Sequence, residues 1–255
     1  MSRRPQQRWA VLLLLALVAL AWLLRVDRGG QSLPDMTAYT VVEERKQAFF
    51  DYLEPIVERE NARIAEDRRR LLDIAARHQA SGGLCWWDRR WLRNLAAEYR
   101  VQWQPDKRTE AIESLKTRVD AVPAPLALVQ AAKESGWGRS RYAVAANNLF
   151  GQWCYERGCG LVPKRRPRGA SHEVRIFDSV ADAVAAYVNN LNSHRSYRGL
   201  RRIRSELRER GKEPTALALA EGLMFYSERR GAYVAEVRSM IRQYHRFRNR
   251  SEDES

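Results

Sequence analysis

Glu134, Trp137, Asn148 and Phe150 fall within one stretch of the 255-residue chain, ALVQAAKESGWGRSRYAVAANNLFGQW, from Ala127 to Trp153. Asp120, Pro123 and Pro125 precede it as helix-start signals, because the fixed φ of proline suits a first turn. Gly136 and Gly138 follow Glu134 as stop signals, because glycine takes the left-handed cap conformation without a Cβ clash. Glu134 therefore sits in the last turn of a predicted helix, facing the negative end of its dipole. Burial beside an indole such as Trp137 would add desolvation. Both effects raise a carboxyl pKa and keep the acid protonated near neutrality. A general acid that hands a proton to a glycosidic oxygen needs that property. The competing reading is a solvated charge near a helix cap, the usual fate of a glutamate in this position.

The run Glu134-Ser135-Gly136-Trp137-Gly138, followed by Asn147-Asn148-Leu149-Phe150-Gly151, resembles the peptidoglycan glucosaminidases, glycoside hydrolase family 73. The longer version, ESGWGRSRYAVAANNLFGQWCYERGCGLVPKRR, is similar to the Bax-like bacterial branch of that family, and the likeness extends from about Tyr39 to Phe247. The resemblance implies a mainly α, lysozyme-like α+β fold with a small β-hairpin lobe beside a cleft. It also implies hydrolysis of the β-1,4 bond after N-acetylglucosamine in cell-wall glycan, with Glu134 as the acid and no cofactor. Trp137, Asn148 and Phe150 would bind substrate. The family carries a tyrosine segment, Tyr-Ala-Thr-Asp-Pro-x-Tyr. Here Tyr226 to Tyr233 keeps only the two tyrosines, with one extra residue between them. Both are candidates for the cleft, with core aromatics as the alternative.

The family often supplies a second carboxylate from the β-lobe, where this chain offers Glu156 and Glu173. Glu173, just before a strand, is the preferred catalytic partner, and Glu156 is its rival. An acetamido group on the substrate could replace either. Two other functions fit the same residues: a lytic transglycosylase, which closes a 1,6-anhydro ring, and a wall-glycan-binding protein that does not cut.

The elements that must position these residues are mostly helical. Phe49, Leu53, Ile56, Val57, Ile64, Leu71, Ile74 and Ala75 follow one helix face between Tyr39 and Ala80, with a kink expected at Pro55. Trp87, Trp91, Leu95 and Tyr99 recur at four-residue steps and read as core positions of a second helix. Thr109 to Val119 reads as a third. Short β-type runs at Leu161-Val162 and Val174 to Phe177, separated by glycine, proline and a basic turn, predict a two-stranded lobe. Asp178 is expected to cap the helix that follows. Pro214 to Leu223 and Tyr233 to Phe247 close the helical set. The organisation is thus 1–28 membrane anchor, 29–38 linker, 39–119 helical region, 120–247 catalytic domain and 248–255 tail.

A net charge of +14 favours an anionic partner. Wall polymer is preferred to nucleic acid, because no zinc-finger spacing or RNA-binding motif appears. Most arginines, including the group from Arg198 to Arg208, read as solvated helix faces. His78, His172, His194 and His245 stand singly, without metal-ligand spacing. Arg3, Arg4 and Arg8 precede an apolar run from Trp9 to Leu24. At 1.5 Å per residue the run gives about 24 Å as a helix, a short membrane span. With positive charge inside, it reads as an uncleaved single-pass anchor in a bacterial inner membrane, with the remainder in the periplasm. A cleaved signal peptide is the competing reading. Export implies an oxidising compartment. A disulfide is then expected between Cys154 and Cys159, with Cys85 free and buried beside Trp86. The sequence leaves the oligomeric state open.

Overall fold

α1 (Val42–Ser81) is a 40-residue helix that serves as the platform for the rest of the chain. The computed structural model describes residues 33–253 except 165, 167 and 168. The expected membrane helix and part of the basic turn therefore lie outside the described residues. Among the described residues, no helix is long and apolar enough to cross a membrane.

The predicted apolar positions of α1 are buried, except Ala75, which is half-buried against the core. The helix continues through Pro55, with Leu53, Ile56 and Val57 packed on either side of it. It ends where Gly82, at φ 67°, gives its amide to the His78 carbonyl.

Eight further α-helices follow among the described residues, beginning with α2 (Trp86–Glu98), α3 (Arg108–Arg118) and α4 (Ala124–Ser135). After the short α5 (Arg141–Ala146) come α6 (Val180–Ser193), α7 (Arg198–Glu209), α8 (Ala216–Ala220) and α9 (Gly231–Asp253). α4 is buried on nearly every side, which fits its apolar sequence. It packs against α1, α8 and α9, while α6 packs on α1. Residues from 39–119 and from 120–247 share one hydrophobic core.

Among the described residues the lobe has three strands, not two. β1 (Trp153–Cys154) and β2 (Gly160–Leu161) both pair antiparallel with β3 (Glu173–Arg175), in the order β1-β3-β2. The expected Cys154–Cys159 disulfide is present. It ties the ends of the β1–β2 connection, so both edge strands reach β3. Cys85, in contrast, is exposed, and its sulfur accepts the Asp88 amide at the start of α2. Trp87 is also exposed, because it precedes the buried stripe of Leu92, Leu95 and Ala96 by more than a turn. Trp91 packs against the core, and Tyr99 lies within it. Ser179 caps α6 instead of Asp178, since its extended backbone aims Oγ at the Asp182 amide, 3.1 Å away.

Two arginines of the basic group are interior. Arg204 is 1% exposed and gives hydrogen bonds to the carbonyls of Asp120 and Ala121 at 3.1 Å and of Thr117 at 3.2 Å. Arg201 donates to the carbonyls of Leu191 and His194 at the end of α6. These guanidiniums satisfy orphan carbonyls at helix ends. Burial pushes Arg204 down to about 10, against the opposing pull of Asp120. Asp120 starts no helix. It is a buried carboxylate that faces Arg204 at 3.7 Å, Arg208 at 3.2 Å and Arg68 at 3.7 Å.

Gly222 brings the segment before α9 hard against α7, where a Cβ would lie 2.3 Å from Leu200 Cα. Only glycine permits that approach.

The Asp120 hub makes a stability prediction. Asp120→Ala leaves buried cations without their counter-charge and should lower stability by about 3–5 kcal/mol. Urea unfolding measures this, and an unchanged midpoint would show that the hub contributes nothing.

Candidate active site

Glu134 occupies the last turn of α4, as the proline and glycine punctuation predicts. Gly136, Trp137 and Gly138 follow with φ of 59°, 62° and 76°. The amide of Trp137 bonds back to the Ala132 carbonyl at 2.8 Å and closes the helix end. Ser135 reinforces the turn, accepting the Gly138 amide at 2.8 Å and donating to the Ala131 carbonyl at 2.6 Å.

The Glu134 carboxylate is the terminus of a directed hydrogen-bond chain. Tyr187 on α6 donates to Gln130 Oε1 at 2.6 Å. Gln130 Nε2 donates to the Tyr233 hydroxyl at 2.9 Å, and that hydroxyl donates to Glu134 Oε1 at 2.9 Å. Gln130 and Glu134 are one turn apart on α4, so they share a helix face. Glu134 is open to solvent on one side and hemmed by protein on the other. Desolvation is the largest influence and raises its pKa, while Tyr233 and Lys133 pull the other way. Among the described residues, Oε2 carries no protein hydrogen bond.

Aromatic rings brace this chain. Tyr226 stacks on Tyr233 at 5.3 Å between centroids, and its hydroxyl donates to the Phe150 carbonyl at 3.1 Å. Phe150 in turn stacks on Tyr187 at 3.9 Å. Burial pushes the phenols of Tyr187, Tyr226 and Tyr233 well up, so they remain neutral donors. Lys133 and Arg229 both pair with Glu236 on α9, fixing the helix that carries Tyr233. Glu134, Phe150, Tyr226 and Tyr233 thus converge from four parts of the chain.

The other predicted residues do different work. Trp137 turns its ring toward α1, meeting Phe49 at 5.8 Å and Phe50 at 5.3 Å edge to face. It anchors the helix end from behind. Asn148 is 1% exposed. Its amide donates to the carbonyls of Gln152 at 2.8 Å and Arg175 at 2.9 Å, and its oxygen accepts the Gln152 amide at 3.0 Å. Asn147, left-handed at φ 52°, donates to the Phe177 carbonyl at 2.9 Å. The Asn-Asn pair therefore stitches the motif loop to the lobe instead of reaching outward.

Glu173 is 5% exposed, and its two oxygens accept the amides of Gly158 at 3.2 Å and Gly160 at 2.8 Å. Those bonds hold its carboxyl below the usual range. It clasps the β1–β2 connection. Glu156 is exposed. Cys154, Cys159 and Glu173 lie close enough to suggest a metal group, but the two cysteines are bonded to each other and offer no thiolate.

Sequence reasoning missed Gln130 and Tyr187. The signal for Gln130 was an amide inside the apolar run ALVQAA, where a polar side chain needs a buried partner.

The family model described as "Glucosaminidase: Mannosyl-glycoprotein endo-beta-N-acetylglucosaminidase" matches residues 109–246. Protein bax of Escherichia coli (strain K12) is 36% identical over 209 residues, covering 82% of this chain and 73% of that one. No solved structure matches.

The environment of Glu134 predicts a pH-dependent stability difference. A carboxyl whose pKa is raised by folding is penalised once ionised. That penalty is complete above the folded-state pKa and vanishes below the unfolded-state value. Glu134→Gln keeps an acceptor for Tyr233 but carries no charge. It should match or exceed the native stability at neutral pH, with the gap closing as pH falls toward the ordinary carboxyl range. Unfolding curves across that range measure this. A variant that is less stable at neutral pH and gains nothing from alkali would refute the assigned desolvation.

Proposed function

The chain belongs to the glucosaminidase family, and from that premise we propose that it hydrolyses cell-wall glycan at the β-1,4 bond after N-acetylglucosamine. In this reading the run from Trp9 to Leu24 anchors it in a bacterial inner membrane, with the helical domain in the periplasm. The observation that carries the proposal is the solvent-open Glu134 carboxyl, raised in pKa and held at Oε1 by Tyr233.

The chemistry runs through the other oxygen. Glu134 gives its proton to the glycosidic oxygen as the C1–O bond breaks. Tyr233 then donates to the new carboxylate, and Gln130 and Tyr187 supply donors in series behind it. Charge that develops on Glu134 thus meets dipoles already in place. Water adds to C1 and returns a proton to Glu134.

The clasped state of Glu173 favours a route in which the substrate's own acetamido oxygen, not a lobe carboxylate, supports C1. Glu173 acts in this account by holding the lobe in shape.

Glu134→Gln should reduce release of new reducing ends from purified glycan by about a hundred- to ten-thousand-fold. Products ending in 1,6-anhydro rings would reassign the protein as a lytic transglycosylase. Glycan binding with no products from the native chain would make it a non-cutting binder.

Glu173→Gln should loosen the lobe, seen as faster amide exchange at Gly158 and Gly160, and should cost less turnover than Glu134→Gln. An equal loss of turnover with unchanged exchange would make Glu173 a catalytic carboxylate.

A further inference from the structure

A second groove, of about 410 Å³, lies on the opposite side of α6 from Tyr187. Val184, Tyr187 and Val188 are buried in the core, whereas Ala185, Ala186 and Asn189 line the groove. A helix turns about 100° per residue, so these sets occupy different faces. None of the groove residues belongs to the hydrogen-bond chain that ends at Glu134.

Trp153 on β1 forms one wall. Its indole is 55% exposed and stacks on His172 at 4.2 Å, nearly parallel at 17°. The stack fixes the ring and covers one face, leaving the other for a flat partner.

Arg175 on β3 and Arg100 just after α2 contribute positive charge. Arg100 holds a left-handed backbone, φ 55°, which non-glycine residues seldom adopt. Among the described residues, neither guanidinium has a carboxylate within ion-pair distance. A third arginine, Arg63, is already occupied by Glu60 at 2.9 Å, Asp67 at 2.9 Å and Glu98 at 3.2 Å. The groove's own acid, Glu98, is thereby paired; the Arg175 guanidinium lies 4.8 Å over the Phe177 ring, and it and Arg100 keep cationic edges that no carboxylate meets. Gln152 also lines the groove and gives its Nε2 to the Ala183 carbonyl, which leaves its amide oxygen as an acceptor.

We propose that this groove is a second binding site, for a hexosamine that bears a carboxylate. The indole covers the apolar face of the pyranose ring. The two guanidiniums take the carboxylate, and the amides of Gln152 and Asn190 sort the ring substituents. An aromatic acid would satisfy the indole and the guanidiniums equally well. The choice of a sugar rests on the glycan reading proposed above. A site remote from Glu134 holds the polymer without cutting it and keeps the enzyme on its strand between turnovers.

The test is calorimetric titration of the full chain in detergent with N-acetylmuramic acid, N-acetylglucosamine and benzoate. The acidic sugar should bind about threefold to fivefold tighter than the neutral one, the scale of an exposed charge pair. Arg175→Gln or Arg100→Gln should remove that preference. Trp153→Ala should weaken both sugars, and Trp153→Phe, which keeps a flat ring in the short strand, should restore part of the affinity. Glu134→Gln should leave binding unchanged. Equal affinity for both sugars, indifference to the arginine variants, or benzoate binding tighter than the acidic sugar would overturn the inference. Loss of binding in Glu134→Gln would also overturn it, by placing the ligand in the active site. If the groove binds but native glycan is not cut, the catalytic reading alone fails. If glycan is cut without groove binding, this inference alone fails.

Discussion

Gln130 sits at 0% exposure inside a helix that is otherwise almost wholly apolar. A buried amide left without partners costs about 1–3 kcal/mol, so the fold must bring it a donor and an acceptor. Tyr187 from α6 and Tyr233 from α9 meet that demand, and in doing so they fix those two helices against α4. The chain has a direction: each hydroxyl or amide donates toward Glu134. In the proposed mechanism, structural satisfaction and preorganisation for proton transfer are therefore the same interaction. The carboxyl feels two opposed influences. Burial favours the neutral acid, while Tyr233 stands ready for the anion. The proposed general acid, which gives up a proton and later takes one back, would benefit from both.

The β-lobe obeys a related rule. Its strands are only two or three residues long, too short to be stable alone. Backbone groups that a longer ladder would pair are met by side chains instead. Asn148 binds the carbonyls of Gln152 and Arg175, Asn147 binds that of Phe177, and Glu173 binds the amides of Gly158 and Gly160. The Cys154–Cys159 bridge closes the same connection. The polar residues of this region are consequently committed to holding shape. The rings and charges left at its surface include Trp153 and Arg175, the residues of the proposed second site.

Charge is divided in the same way between interior and surface. Arg201 and Arg204 lie inside, where planar guanidiniums reach several carbonyls at helix ends. Those carbonyls offset the desolvation of both, and Asp120 adds a counter-charge for Arg204. Much of the remaining positive charge lies at the surface, in agreement with an anionic polymer as partner.

The amino-acid sequence determined what local geometry and periodicity control. Pro125 and Gly136 place Glu134 at a helix end, because their backbone preferences act within a turn. The apolar stripe of α1 names its own buried face, and a five-residue spacing suffices to pair Cys154 with Cys159. Tertiary structure decided the rest, because the partners are remote in the chain. Gln130 meets Tyr187 across 57 positions and Tyr233 across 103. Trp137 is adjacent to the acid in sequence yet turns toward Phe49 and Phe50, since its left-handed backbone aims the ring at α1. Asn148 and Glu173 are residue types that bind substrates or act on them, and nothing local distinguishes that use from a bond to the lobe's own backbone. Asp120 looks like a helix start until α7 delivers Arg204 and Arg208 to it. Local rules set where each side chain leaves the backbone, and only packing sets what it meets.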